Sequence, residues 1–553
     1  MVILAYLSRF HRAVYHGEVS FQITTPFLWV LLSLGVFLRL DLIPGSHRTL
    51  EPDVDEAQTL FLIHRAKEEG LLKVFREEYY ADGPFYLILL YWIAPENGDP
   101  RARFRSVSQV AGALGYIASS LWVLRFLPSP LSSPIVFFLT FSPLHLFYSY
   151  QIRPYALAYA LFWLSLLAFG DRLKPRTWTR FAVGLVLLTL AVMTHLHAIL
   201  WSGFLLLSGV VREFLEREKN YSLSSASLLF QTFPVPVFTF LFVTLLGFLT
   251  HPFWHHPYFF WGLKTFAELI APNPFHEFTE QYLFLLWDLR LDSPENRWIV
   301  GYAIFVTSFS LGGFLLSLLR RGYGFPIYLL STSALLPFFF FALSGFTGIA
   351  FYYKPRHLIG LLPFLFLFLI LSYRALPTLF RMVFGVLIFL PVLLSTAILY
   401  LSPLWYPHIR ATVHMAREVR EICTLAQNGG YSRIVVDFLL WKYLFAEYCG
   451  GLYPEGKIQS LGYRPAGEIR EFYQFRTLIR SDLEDLLAEP AGSVFVDSGV
   501  ARRFFQDPEL DFPKIFKGFH PSRTIEERPC PLSGRTYLCQ RIYLIQPRKE
   551  GSE

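Results

Sequence analysis

Between residues 24 and 401 the chain is a succession of apolar runs near the length of a bilayer crossing, at 24–40, 105–127, 134–149, 153–170, 181–197, 198–211, 231–250, 298–319, 325–347, 356–373 and 382–401. A helix needs about 20 apolar residues to cross a hydrocarbon core, and lipid leaves a chain of this pattern no other way to satisfy its backbone. The runs therefore predict about eleven transmembrane helices, with boundaries good to a few residues. Only 16% of the residues are charged, well below the usual share in a soluble domain. The expected class is a polytopic α-helical membrane protein. Gly83 to Ala94 is apolar as well, but about a dozen residues are too few to span, so it reads as re-entrant or interfacial.

Charge placement sets the expected orientation. The formal net charge is +7, but the basic residues fall in short loops, which is a topology signal and not a nucleic-acid footprint. Arg172, Lys174, Arg176 and Arg180, then Arg212, Arg217 and Lys219, then Arg320 with Arg321, then Arg374 with Arg381, all share one side if the N-terminus is cytoplasmic. No compact apolar core with a small-residue cleavage site opens the chain, so the first run is expected to stay as an anchor. The loop 41–104, the loop 250–297 and everything after Leu401 then face the exterior.

The first of these loops carries Asp53-Val54-Asp55-Glu56. Carboxylates are costly inside a bilayer, so an acidic cluster between apolar segments belongs at the water edge, where a catalytic base would also sit. Its plain alternative is a helix start, with Asp55 as the N-cap and Glu56 in the first turn. From Glu56 to Phe75 apolar and charged residues mix as in a helix lying in the interface plane, or an ordinary amphipathic loop helix. In the second outer loop His251, His255 and His256 stand among Trp254, Tyr258, Phe259, Phe260 and Trp261. An aromatic belt explains that run better than a metal site, because no acidic or Cys partner lies at ligand spacing.

After Leu401 charges return and the pattern alternates. Helices are expected at Val413 to Ala426, Leu439 to Tyr448 and Glu468 to Leu487. Strands are expected at Arg433 to Asp437, Ser493 to Asp497 and Tyr537 to Ile545. This predicts a soluble α/β domain over 402–553, following a membrane domain over 1–401. All four cysteines, Cys423, Cys449, Cys530 and Cys539, lie in it. On the outer side they suggest two disulfides with three possible pairings, buried free thiols being the alternative.

A few cations oppose the charge bias: Arg153, Lys354 and Arg356, each beside a Tyr-rich, Pro-punctuated turn. Snorkelling to headgroups is one account of them. A carboxylate facing such a cluster at a membrane surface suits another chemistry, taking a proton from an acceptor while a phosphate leaving group is stabilised. Arg makes two-point phosphate contacts and Lys supplies a point charge.

Several segments in order resemble glycosyltransferase family 39, the membrane enzymes of GT-C fold that include protein O-mannosyltransferases and the aminoarabinose transferase of lipid A. The family's acidic pair in the first outer loop matches Asp55-Glu56, and its His-Pro-Pro-Leu-Tyr segment looks like Asp82-Gly83-Pro84-Phe85-Tyr86. Its Arg-x-x-Ser matches Arg105 to Ser108, and its Ser-Pro…Tyr-Ser-x-Glu-x-Arg-x-Tyr-Ala-Leu segment matches Ser142-Pro143 with Tyr148 to Leu157. Its Thr-His matches Thr194-His195, and its late Arg-Tyr-Leu…Pro matches Arg356-His357-Leu358 with Pro363. The departures are Gln151 where many bacterial members carry Glu, Asp82-Gly83 for His-Pro, and His357 for Tyr.

The resemblance implies an inverting transferase that moves a sugar from a polyprenyl-phosphate donor to a hydroxyl on a protein, lipid or glycan at the outer face of the cell membrane. Asp55 would be the base, Glu56 its orienting neighbour, and Arg153, Lys354 and Arg356 the holders of the donor phosphate. Asp82, Tyr86, Tyr155, His195 and His357 would be acceptor or substrate contacts. No cofactor is expected; Gln151 removes a possible ligand, so no metal is carried over, although a divalent ion stays open. The C-terminal domain would cap the site or bind acceptor. The rival is a transporter or flippase of a lipid-linked sugar, which predicts charges through the bilayer depth and repeated halves. Neither feature is present in the sequence.

Overall fold

The computed structural model describes residues 25–40, 50–77, 83–96, 98–169, 178–203, 234–250, 297–320, 322–332, 359–403, 407–437, 439–450, 457–461, 474–488, 491–499, 512–518, 523–531 and 539–547, with Tyr453. The membrane part is helical: α1 (Thr25–Arg39), α2 (Val54–Glu69), α3 (Leu71–Glu77), α4 (Pro84–Ile93), α5 (Arg101–Phe126), α6 (Ser129–Thr140), α7 (Pro143–Tyr150), α8 (Tyr155–Phe169), α9 (Trp178–Thr194), α10 (Pro234–Thr250), α11 (Arg297–Arg320), α12 (Phe325–Ser331), α13 (Leu362–Ala375) and α14 (Thr378–Leu401). Among the described residues, α5 and α14 are long and apolar enough to cross a membrane by themselves. Shorter apolar helices, α8 and α9 among them, accompany these. Trp29, Leu241 and Leu379 are more than half exposed, as side chains facing lipid would be.

The span expected at 134–149 is two helices. Helix α6 begins before Pro134, and the chain turns by 44° into α7. Ser142 accepts the His145 N–H, and Pro143 takes the first helical position, where its missing N–H costs nothing. Helix α4 has ten residues, about 15 Å at the helical rise, and so is too short to span.

Helix α8 packs against α5 and α9, and their core is aromatic. The rings of Trp122, Trp163 and Phe364 meet pairwise at 5.5–5.7 Å, both Trp122 pairs edge-on, contacts that add to simple area burial. At the end of α1, the fully buried Arg39 donates through Nε to His145 Nδ1 at 2.7 Å and through its Nη groups to the carbonyls of Gly35 and Leu139. Tyr150 and Tyr400 both donate to the Leu38 carbonyl. These bonds pin both ends of α7 to the end of α1, and α7 runs directly into residues 151–153.

Past Leu401 come α15 (Pro407–Asn428), β1 (Arg433–Val436), α16 (Leu439–Cys449), β2 (Ile458–Ser460), α17 (Gln474–Ala488), β3 (Ser493–Asp497), α18 (Phe512–Gly518), β4 (Arg523–Pro529) and β5 (Arg541–Pro547). One five-stranded sheet has the order β2-β1-β3-β5-β4, parallel over the first three strands and antiparallel over the last two pairings. Strands β2 and β4 and helix α18 are additions to the expected elements; residues 537–538 of the expected final strand lie outside the described residues, and the strand observed runs over Arg541–Pro547. Residues 468–473 of the expected third helix lie outside the described residues.

The strand period of two separates the sheet's faces. Val435, Phe495, Tyr543 and Ile545 pack under α17 and α18. Ile434, Val436, Val494, Val496, Ile542 and Leu544 turn the other way and join one apolar cluster with α15, α16, α2 and α4. The α/β unit therefore shares a core with the first loop. Helix α2, for which an interface-plane helix or an ordinary amphipathic loop helix is expected, packs its apolar side on α16, with the Phe61 and Tyr443 rings 5.0 Å apart. The cysteines pair as Cys423–Cys449 and Cys530–Cys539.

Candidate active site

The acidic stretch starts a helix, but through Asp53 and not Asp55. Asp53 Oδ1 accepts the Glu56 N–H at 2.7 Å, and Glu56 Oε2 accepts the Asp53 N–H at 3.1 Å. This reciprocal pair is a capping box, for which the Asp-x-x-Glu spacing is the local signal. The helix ends at Gly70, whose φ of 96° favours glycine.

Those bonds give each carboxylate a different role. Glu56 is buried, and its second oxygen accepts the Ile152 N–H at 2.7 Å with Arg105 Nη2 3.7 Å away. One oxygen thus closes the capping box and the other ties the loop to the α7–α8 junction. Asp53 Oδ2 accepts from Gln151 Nε2 at 3.0 Å. Burial, then the neighbouring carboxylates of Glu56 and Asp55, push the Asp53 carboxyl up to about 6, while the Glu56 N–H and Arg153 pull the other way. Freed of the capping duty, Asp55 keeps its side chain 20% exposed.

Arg153 meets Asp55 twice: Nη1 donates to its carbonyl at 3.1 Å, and Nη2 stands 3.6 Å from Oδ2. The first contact fixes the guanidinium; the second is an ion pair longer than a hydrogen bond. Behind Arg153 runs a line of rings. Its Cζ lies 5.7 Å from the Tyr155 ring centroid, Tyr155 is 4.8 Å from His195, and His195 is 4.9 Å from His197. His195 Nδ1 accepts the His197 N–H at 3.3 Å. A small cleft beside Glu56 is also lined by Arg105, Tyr150, Gln151, Ile409 and Thr412.

The structure thus brings together Asp55, Glu56, Arg153, Tyr155 and His195. Tyr86 is fully buried in the core shared with the α/β unit. Asp82, Lys354, Arg356 and His357, and the histidine run 251–256, lie outside the described residues. Gly83, the N-cap of α4, is required by close approach: its N–H donates to the Thr194 carbonyl at 2.9 Å, and a Cβ there would collide with the Met193 carbonyl oxygen. Sequence reasoning missed Asp53 as cap, although the capping-box spacing was there to read. It also missed the buried Arg39, whose signal was a charge at the end of an apolar run.

Among the described residues, Glu418, Cys530 and Cys539 place possible ligand atoms within 4.8 Å of one another. Both sulfurs are committed to a disulfide, and a metal needs the thiolate.

No family model and no curated protein matches the sequence. Among solved structures the chain is similar to ArnT from Cupriavidus metallidurans in the apo state, at 12% identity and a TM-score of 0.49, over 94% of this chain and 98% of that one. It is similar to the same protein bound to undecaprenyl phosphate, at 12% identity and a TM-score of 0.48 over the same shares. It is also similar to the Archaeoglobus fulgidus oligosaccharyltransferase complex with Zn and sulfate, at 12% identity and a TM-score of 0.45, over 86% of this chain and 68% of that one.

Proposed function

We propose that this protein is a GT-C-like membrane glycosyltransferase that moves a sugar, with inversion, from a polyprenyl-phosphate donor to a hydroxyl of a protein, lipid or glycan at the outer face of the cell membrane. The observation that carries this reading is the partly exposed Asp55 carboxylate held against the buried guanidinium of Arg153. The motif resemblance across the membrane part supports it. Nucleotide sugars are cytoplasmic, so a site on the outer side requires a lipid-carried donor.

In one step the acceptor oxygen attacks the anomeric carbon as the bond from that carbon to the phosphate oxygen breaks. Asp55 takes the hydroxyl proton. The departing lipid phosphate gathers negative charge, which the Arg153 guanidinium offsets; Lys354 and Arg356 are assigned to the same anion. Glu56 and Gln151 hold the loop and do not enter the bond changes. The test is transfer from a panel of radiolabelled polyprenyl-phosphate sugars to membrane extracts by the purified protein and by its Asp55→Asn variant. Label transferred by the first and not by the second supports the reading. A panel without transfer to any extract overturns it.

A further inference from the structure

Four consecutive residues before the proposed base are each held by a different part of the chain. Arg105 Nη2 donates to the Leu50 carbonyl at 2.7 Å. Arg420 Nη2 donates to Glu51 Oε1 at 2.6 Å, Tyr448 Oη donates to the Pro52 carbonyl at 2.8 Å, and Gln151 takes Asp53. Two of the four grips come from the α/β unit, on α15 and α16. Arg420 also lies over the Tyr448 ring, 4.7 Å from its centroid, so the two act as one group. The Cys423–Cys449 disulfide joins their helices beside the grips, three residues from Arg420 and next to Tyr448.

The Tyr448 bond falls at a sensitive point. The Pro52 carbonyl and the Asp53 N–H belong to one planar peptide unit. Tyr448 holds its oxygen and Glu56 holds its N–H, so the plane is fixed from both edges. Rotating it would withdraw the Asp53 cap and turn the first residues of α2, among them Asp55. Burial pushes the Tyr448 phenol up, so it remains protonated and donates at any physiological pH.

We propose that Tyr448 and Arg420 are positioning residues, through which the C-terminal α/β unit sets the Pro52–Asp53 peptide and hence the place of Asp55. The inference rests on the reading of Asp55 as base. It assigns the domain to alignment of the acid-bearing helix, a role separate from acceptor binding.

The test uses the full chain in detergent with Tyr448→Phe, which keeps the ring under Arg420 and removes only the hydroxyl. Amide hydrogen exchange should quicken in a peptide spanning 50–58 by roughly three- to tenfold, the ratio that loss of one hydrogen bond gives. Exchange in α13 and α14 should not change. With a radiolabelled polyprenyl-phosphate sugar, turnover should fall by a similar factor while half-saturating donor stays within about twofold, the signature of a misplaced group and not of lost binding. Wild-type exchange and turnover in Tyr448→Phe, beside an inactive Asp55→Asn control, overturn the positioning role and leave the base assignment standing. An active Asp55→Asn overturns the base assignment instead, whatever Tyr448→Phe does to exchange. Faster exchange throughout the chain would mark general destabilisation and also overturn the proposal.

Discussion

Gln151 donates a 3.0 Å hydrogen bond to Asp53 across 98 residues of sequence. An amide thus stands where a fourth carboxylate would crowd Asp53, Asp55 and Glu56. A glutamate at 151 would face Asp53 with like charge and raise further a carboxyl already pushed to about 6. Gln151→Glu is expected to lower the melting temperature at pH 8 and to recover toward wild type at pH 5, where one acid of the pair is protonated. A melting temperature equal to wild type at both values would show that position 151 does not face Asp53.

Asp55→Asn is expected to leave yield and melting behaviour unchanged and to reduce transfer by about 10²–10⁴-fold, the usual worth of a general base. Comparing turnover of the two proteins at pH 7 checks this. Activity within a few-fold of wild type in well-folded protein would place the base elsewhere.

Arg153→Lys keeps the charge and loses the planar fork. Because that fork grips the Asp55 carbonyl and faces its carboxylate, transfer should fall by about tenfold or more. Titrating the variant with polyprenyl phosphate shows whether donor affinity falls with it. A cation that merely reached for lipid headgroups would be served equally well by lysine, so wild-type affinity and turnover would remove Arg153 from the site.

The raised Asp53 carboxyl makes folding pH-dependent with a definite sign. Between its ordinary value near 4 and about 6, the unfolded chain has released this proton and the folded chain still holds it. The group's contribution is therefore fully present below about 4 and is lost as pH rises to about 6, a change of at most roughly 3 kcal/mol. Asparagine is an equally good N-cap and does not titrate. The wild-type and Asp53→Asn melting temperatures should diverge from pH 4 to 6, with the variant the more stable, and run parallel above. Curves parallel over the whole range would deny the shift.

Gly83→Ala should destabilise, because the added methyl meets backbone at Met193 and Thr194 and not a side chain that could yield. Overpacking of this kind costs about 1–3 kcal/mol. Thermal unfolding in detergent reads it, and an unchanged melting temperature would mean that α4 does not approach the end of α9 so closely.

The sequence by itself determined what its short-range patterns encode. Apolar runs required membrane helices because lipid cannot satisfy a bare backbone. The acidic stretch was bound to a polar loop by the cost of charge in hydrocarbon, and alternation after Leu401 marked an α/β unit. Even the capping box lay within four residues, Asp53 to Glu56. Tertiary structure decided everything that depends on which distant surfaces meet. It chose Cys423–Cys449 and Cys530–Cys539 from three pairings, and committed both oxygens of Glu56 to fixed partners. It brought Tyr448 to Pro52 over 396 residues. None of these follows from local period or propensity, because a hydrogen-bond partner or a disulfide mate is set by how packed helices bring chain segments together, and so is the burial of Glu56 beside a partly exposed Asp55.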